Sequence, residues 1–262
     1  GGLIEKNEIK DFAGGIYLSG SFDYPATPRV QHNTISNNNR STNTSYAGIY
    51  LTSYARPLIN HNNLHGNKPV DLRNDTKASV YSEIDAKYNY WGAATTTAMN
   101  SGGNPKNLSA IYDKHDNAEK GFVNYGGWLS AAWPGGTPTA VTKTGIVKMT
   151  NASGVEQLNF ASGTSLYVQV TDPDRNGNTS SAETVVAQVS SQREPDNVSV
   201  TLTETGVNTG VFLGSVVLDE RAALAGDGKL QVARGNKLTA LYSDPADDFG
   251  SPMSVRDSAF YS

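Results

Sequence analysis

The 262-residue sequence has no cysteine, which excludes disulfides, thiolate catalysis and cysteine-based zinc sites and leaves the redox compartment undetermined. Charge is sparse: 18% of residues are Asp, Glu, Lys or Arg, with a net charge of -4. The 21 Lys and Arg are scattered, so no basic field forms and no nucleic-acid partner is expected. No apolar run approaches the roughly 18 residues that cross a bilayer, so this piece has no expected membrane span. What the chain does have is Asn, Thr, Ser, Gly and Tyr, which favour turns and strands over helices. The length suits two domains, each with its own core.

The first half repeats. LIEKNEI (3 to 9), RVQHNTI (29 to 35) and LINHNNL (58 to 64) align, and DAKYNYW (85 to 91) fits more loosely. Asn7, Asn33, Asn62 and Asn89 recur at steps of 26, 29 and 27 residues, the self-similarity of a solenoid. Apolar residues alternate within each unit at strand spacing. A second strand follows in each: GGIYL (14 to 18), AGIYL (47 to 51) and KPVDL (68 to 72). Short strands separated by Asn and Gly corners describe a parallel β-helix, with Ile and Leu inward and Tyr17, Tyr50 and Asp71 outward. Asparagine tolerates left-handed corner angles, and its amides can stack from rung to rung. Asn7, Asn33, Asn62 and Asn89 are therefore expected to hold the coil's shape.

These segments, and above all IDAKYNYWG (84 to 92), resemble right-handed parallel β-helices of the pectin-lyase-like class, in the subset closing with an N-x-W-G motif. The resemblance covers about 1 to 133 and implies that Trp91 and Gly92 end the coil, with a tail such as GFVNYGGWL (121 to 129) packing back on it. Such coils include lyases, hydrolases, adhesins and surface-layer scaffolds, so the resemblance bears on fold more than on function. The sequence opens on GGLIEKNEI, already inside a repeat. Upstream rungs or neighbouring subunits of the same protein are accordingly expected as partners.

Glycosidic cleavage needs paired carboxylates, or a base with an electrophilic partner. Asp11, Asp23, Asp71 and Asp85 fall at unrelated rung positions, so no catalytic residue is assigned. His32 and His61 stack by repeat arithmetic, but Lys6 and Tyr88 complete their column, and these are poor metal ligands. A surface column is the expectation. A glycan platform is assembled from Tyr17, Tyr50, Tyr24, Tyr46 and Tyr54 with Asp23 and Arg40, next to rung insertions at 20 to 28 and 37 to 46. Exposed tyrosines are also ordinary on such sheets.

After Trp128 the composition turns to Pro and Gly, placing a linker at 134–140 between the coil (1–133) and a second domain (141–262). Strands are expected at 141 to 149, 165 to 170, 184 to 190, 198 to 204, 211 to 218, 229 to 233, 237 to 243 and 254 to 260, an antiparallel β-sandwich pattern. VSVTLTETGVNTGVFLGSVVL (198 to 218) with KLTALYSDPADD (237 to 248) resembles an Ig-like β-sandwich module of bacterial and archaeal cell-surface proteins. That implies a structural or adhesive role. The fold class is thus all-β, a right-handed parallel β-helix followed by an antiparallel Ig-like β-sandwich.

VTDPDRNGNTSSAET (170 to 184) carries Asp172, Asp174, Asn176, Gly177, Asn178 and Glu183 in calcium-loop spacing, yet strands rather than helices flank it. Asp244, Asp247 and Asp248 supply a second acidic cluster. Bound Ca²⁺ would relieve their repulsion with a structural, all-oxygen site; solvated Asx turns are the alternative. The functional expectation is a non-catalytic structural or adhesive fragment of an extracellular microbial surface or filament protein. The alternatives are a carbohydrate-active β-helix and a non-catalytic glycan-binding module.

Overall fold

The computed structural model describes residues 1–38, 46–139, 142–194 and 196–262. The chain divides into two units, Gly1–Val141 and Thr142–Ser262.

In the first unit the chain climbs in rungs. The first rung holds β1 (Leu3–Glu5), β2 (Glu8–Lys10) and β3 (Ile16–Gly20); the second holds β4 (Arg29–Gln31), β5 (Thr34–Ser36) and β6 (Ile49–Ser53). The third holds β7 (Leu58–Asn60), β8 (Asn63–His65) and β9 (Leu72–Asn74). Then come β10 (Glu83–Asp85), a helix α1 (Gly92–Asn100), β11 (Ile111–Tyr112) and β12 (Phe122–Asn124). Strands of successive rungs pair in parallel. One sheet runs β1-β4-β7-β10-β12, a second β2-β5-β8 and a third β3-β6-β9-β11. Inward residues make the core: Val30, Ile35, Ile49, Leu51, Ile59, Leu64, Leu72 and Ile84 are fully buried.

The corners are held by amides, as the repeat predicts. Asn7 Nδ2 donates to Asn33 Oδ1 at 2.9 Å, Asn33 Nδ2 to Asn62 Oδ1 at 2.9 Å and Asn62 Nδ2 to Asn89 Oδ1 at 3.0 Å. The Nδ2 groups of Asn33, Asn62 and Asn89 also reach back to carbonyls of the preceding rung, Ile4, Val30 and Ile59, at 2.8–2.9 Å. The left-handed angle lies one residue earlier than expected. Lys6, His32, His61 and Tyr88 have φ of 56°, 57°, 54° and 60°, turning each corner so that the following asparagine can point inward.

A second ladder, absent from the sequence reading, holds the next corner. Asn38 Nδ2 donates to Asn67 Oδ1 at 2.9 Å, and Asn67 Nδ2 donates to Asp71 Oδ1 at 2.9 Å. Here too the preceding residues, Asn37 and Gly66, have positive φ. Asp71 is therefore buried, not outward. Its displacement follows from a two-residue change in register: Ile49 pairs with Leu72, and Tyr50 with Arg73.

Trp91 is 1% exposed and Gly92 opens α1 at φ +77°, where a Cβ would stand 2.7 Å from His65 Cβ. They do not end the coil. Beyond the helix, β11 pairs with β9 and β12 with β10, so the GFVNYGGWL segment contributes a further strand. The Pro- and Gly-rich stretch expected as linker 134–140 is, as far as Thr139, part of a hairpin. Leu129 bridges Pro138, and Ser130 N–H donates to Thr137 O at 2.9 Å. Its prolines and glycines serve a tight turn.

The second unit contains β13 (Ile146–Thr150), β14 (Asn159–Phe160), β15 (Ser165–Thr171), β16 (Thr184–Ser191), β17 (Val198–Glu204), β18 (Val211–Asp219), β19 (Lys229–Gln231), β20 (Lys237–Asp244) and β21 (Met253–Tyr261). They join one nine-stranded sheet, order β13-β15-β18-β17-β16-β20-β21-β14, with β19 on β18. The pairs are antiparallel except β14 with β21 and β18 with β19. In β15 and β16 every second residue is buried, and Leu166, Val168, Val170, Ala187, Val189, Phe212 and Leu238 line a single core. A sheet with one buried face must curl around that core. Met149 N–H of β13 accordingly donates to Asp257 of β21 at 2.6 Å, joining the first strand of the sheet order to the last but one.

Candidate functional site

The third sheet of the coil carries a column of side chains with binding chemistry. Pairing places Tyr17 beside Tyr50, Tyr50 beside Arg73 and Arg73 beside Tyr112. Because rungs stack about 4.8 Å apart, these residues form a continuous column. Tyr17 and Tyr50 meet edge to face at 5.4 Å. The Arg73 guanidinium lies 5.5 Å from the Tyr50 ring centre and 4.4 Å from that of Tyr112, within cation–π range.

Asp75 ties the column down. It accepts from Tyr50 Oη at 2.8 Å and Arg73 Nε at 2.7 Å, and Lys120 Nζ stands 3.3 Å away. Burial pushes the Asp75 carboxyl up, but the bonds from Arg73 and Tyr50, with the charges of Arg73 and Lys120, outweigh it and leave it below the usual range. Asp75 stays ionised and orients the column. It is not available as a proton donor at neutral pH.

At the first-rung end lies a groove of about 370 Å³, within the span of small-ligand sites. Tyr17, Tyr46 and Tyr50 line it together with Gly14, Gly15 and Ala47, whose small side chains leave the rings accessible. Of the expected platform, Tyr17, Tyr46 and Tyr50 come together, while Tyr54 meets Phe22 edge to face at 5.9 Å. Tyr24 and Asp23 sit instead in an exposed turn closed by Ser21 N–H to Tyr24 O, and neither lines the groove. Arg40 lies outside the described residues. Arg73, Asp75, Tyr112 and Lys120 were missed; the signal for Arg73 was its spacing of two from Asp71.

The carboxylates considered for catalysis each have a separate structural setting. Asp71 is buried at the end of the second ladder and pushed up to about 6, because burial outweighs its bonds from Asn67. Asp11 stands at a left-handed corner, φ 63°, and Asp85 lies 3.9 Å from Lys87 Nζ.

In the second unit, the acidic residues do gather at strand ends. Asp172 and Asp244 are buried, and their Oδ2 atoms both lie 3.4 Å from where a Gly145 Cβ would be. Their oxygens are taken by protein donors. Asp172 accepts from Tyr242 Oη at 2.6 Å and Asp174 N–H at 3.0 Å; Asp244 accepts from Gly145 N–H at 2.6 Å and Ala246 N–H at 2.9 Å. Asp174 accepts from Lys143 N–H, Asp247 from Phe249 and Ser251 N–H, and Asp248 from Thr144 Oγ1. Glu183 folds back on the loop, accepting from Gly177 and Asn178 N–H, while Asn176 donates to Asn208. Among the described residues no three His, Asp or Glu side chains converge as a metal would require. Burial, followed by the charge of Asp244, still holds the Asp172 carboxyl above its usual range, against the bond from Tyr242.

Residues 1–126 match the family model described as right handed beta helix region. No curated protein matches the chain.

Proposed function

We propose that the chain is a non-catalytic structural and adhesive unit of an extracellular microbial surface or filament protein, whose coil presents the Tyr17–Tyr50–Arg73–Tyr112 column to polysaccharide. One observation supports this above others. Asp75, the acid within the column, is committed to Tyr50, Arg73 and Lys120, so the surface offers aromatic and cationic contacts without a free acid–base pair. The finer kinships stand beside it: a coil of the pectin-lyase-like class and an Ig-like module. Leu3, Phe12 and Tyr17 of the first rung are exposed, and β1 and β3 are edge strands. This supports a partner that adds strands there, another rung or a subunit of the same protein.

Incubation with polygalacturonate, xylan and insoluble cellulose is expected to release no new reducing ends. Binding to at least one of them is expected, weakened about tenfold in Tyr17→Ala or Tyr50→Ala through loss of an aromatic face worth about 1.4 kcal/mol. Turnover abolished by changing Asp75 would favour the enzyme reading instead.

Calcium enters as a narrower proposal for the second unit. It rests on the buried Asp172 and Asp244, whose ionised forms a nearby cation favours. Millimolar CaCl₂ is expected to stabilise that unit by about 1 to 2 kcal/mol, a few degrees in melting temperature, with EDTA reversing it. An unchanged melting curve removes calcium from the account.

A further inference from the structure

The hairpin at the end of the first unit lies across side chains that can change charge. At its tip, the Trp133 indole stacks on His32 with ring centres 4.8 Å apart and planes 19° apart. It also meets His61 edge-on at 4.9 Å. The Trp133 backbone is pinned by one amide: its N–H donates to Asn63 Oδ1 at 2.7 Å, and its carbonyl accepts from Asn63 Nδ2 at 3.2 Å.

We propose that residues 129–139 form an acid-released strap, closed while at most one of His32 and His61 is protonated and opened when both are. This device is independent of what the tyrosine column binds.

The asymmetry of the two imidazoles carries the argument. Charge on the His32 ring has partners: Glu5 Oε2 stands 4.0 Å from its Nδ1, and the indole face stacked on it accepts a cation. Charge on His61 has none: its ring centre is 5.8 Å from that of His32, and its other ring neighbours are Tyr88 at 5.8 Å and Trp133, met edge-on rather than on the face that accepts a cation. Among the described residues the acids of the flanking rungs already face cations: Glu5 stands 3.8 Å from Lys6, Glu8 2.6 Å from Lys10 and Asp85 3.9 Å from Lys87, while the hairpin LSAAWPGGTPT carries no charge. Burial, and then the charge of His32, already hold His61 below the ordinary imidazole value.

The sign follows. A base held below its ordinary value in the closed state takes up its proton more readily once the strap opens, so opening gains as pH falls. Each proton taken up on opening makes it up to tenfold more favourable per pH unit. Opening uncovers Asn63 and both imidazoles and leaves the buried rungs in place.

The test is hydrogen exchange on the full chain between pH 7.5 and 4.5, corrected for intrinsic rates. Protection of the Ser130 and Trp133 amides is expected to fall by at least tenfold, while Ile59 and Phe122 in the coil, the latter donating to Ser82 O, keep theirs. Both histidines occupy left-handed corners, so asparagine is the replacement that spares the backbone. His61→Asn is expected to flatten the pH dependence of the hairpin amides, and Trp133→Ala to leave them unprotected at every pH. Protection that is constant with pH in the native chain, or that falls equally in the His32→Asn/His61→Asn double variant, overturns the strap.

Discussion

Asn62→Ala is expected to destabilise the coil by about 4 kcal/mol, measured as the shift of its urea transition. Asn62 is fully buried. Its Oδ1 accepts from the N–H and Nδ2 of Asn33 at 3.0 and 2.9 Å, and its Nδ2 donates to Val30 O, Asn60 O and Asn89 Oδ1. Truncation orphans donors and acceptors on three rungs at once, each costing about 1 to 3 kcal/mol when left buried without a partner. Water entering the cavity recovers part of that, hence the intermediate figure. The exposed Asn7 is the control: its alanine variant is expected to cost no more than about 1 kcal/mol, since solvent can replace what its side chain gave. Equal losses at the two positions would mean that the ladder does not act through burial.

The second large effect is on pH dependence. Asp71 is pushed up to about 6 by burial, so its neutral form fits the ladder end better than its charged form. A raised carboxyl contributes stability that is complete below its unfolded value near 3.9 and is lost as pH rises through 6. Asparagine at the same place keeps an acceptor for Asn67 and cannot ionise. Between pH 4 and pH 7 the stability of the native coil, relative to Asp71→Asn, is expected to fall by roughly 3 kcal/mol, two pH units at 1.36 kcal/mol each. Denaturant midpoints of the pair at both pH values measure it, and a constant difference would show that Asp71 is solvated.

How much of this was written in the residue order differs by element. The coil was legible because its asparagines recur at rung length and its Ile and Leu alternate. The second ladder was equally present, in SNN (36 to 38) and HGN (65 to 67), where a left-handed former precedes an asparagine at the same 29-residue step. It went unread because the asparagine, not its predecessor, was credited with the turn. The Asp71 register was harder. A shift of two residues leaves Leu72 inward, so alternation alone cannot detect it. In the second unit, Leu166, Val168 and Val170 announce β15 by period two, and only the two-residue β14 escaped, too short to carry a period. The α1 helix also escaped: its Thr95, Thr96 and Thr97 favour strands by side-chain stiffness, and its packing is set by the coil beneath. At the candidate site, Tyr17 and Tyr50 were visible as a repeated pair. Arg73, Tyr112 and the Trp133 contact depend on register and chain reversal, which composition does not encode.

The left-handed corner positions have one more implication. Lys6, His32, His61 and Tyr88 share a backbone shape while differing in size, charge and aromaticity, so the bend accepts unlike side chains as long as they are not β-branched. An engineer could treat that row as a typesetting line, choosing each character separately at a pitch of about 4.8 Å while the amides behind it keep the page flat.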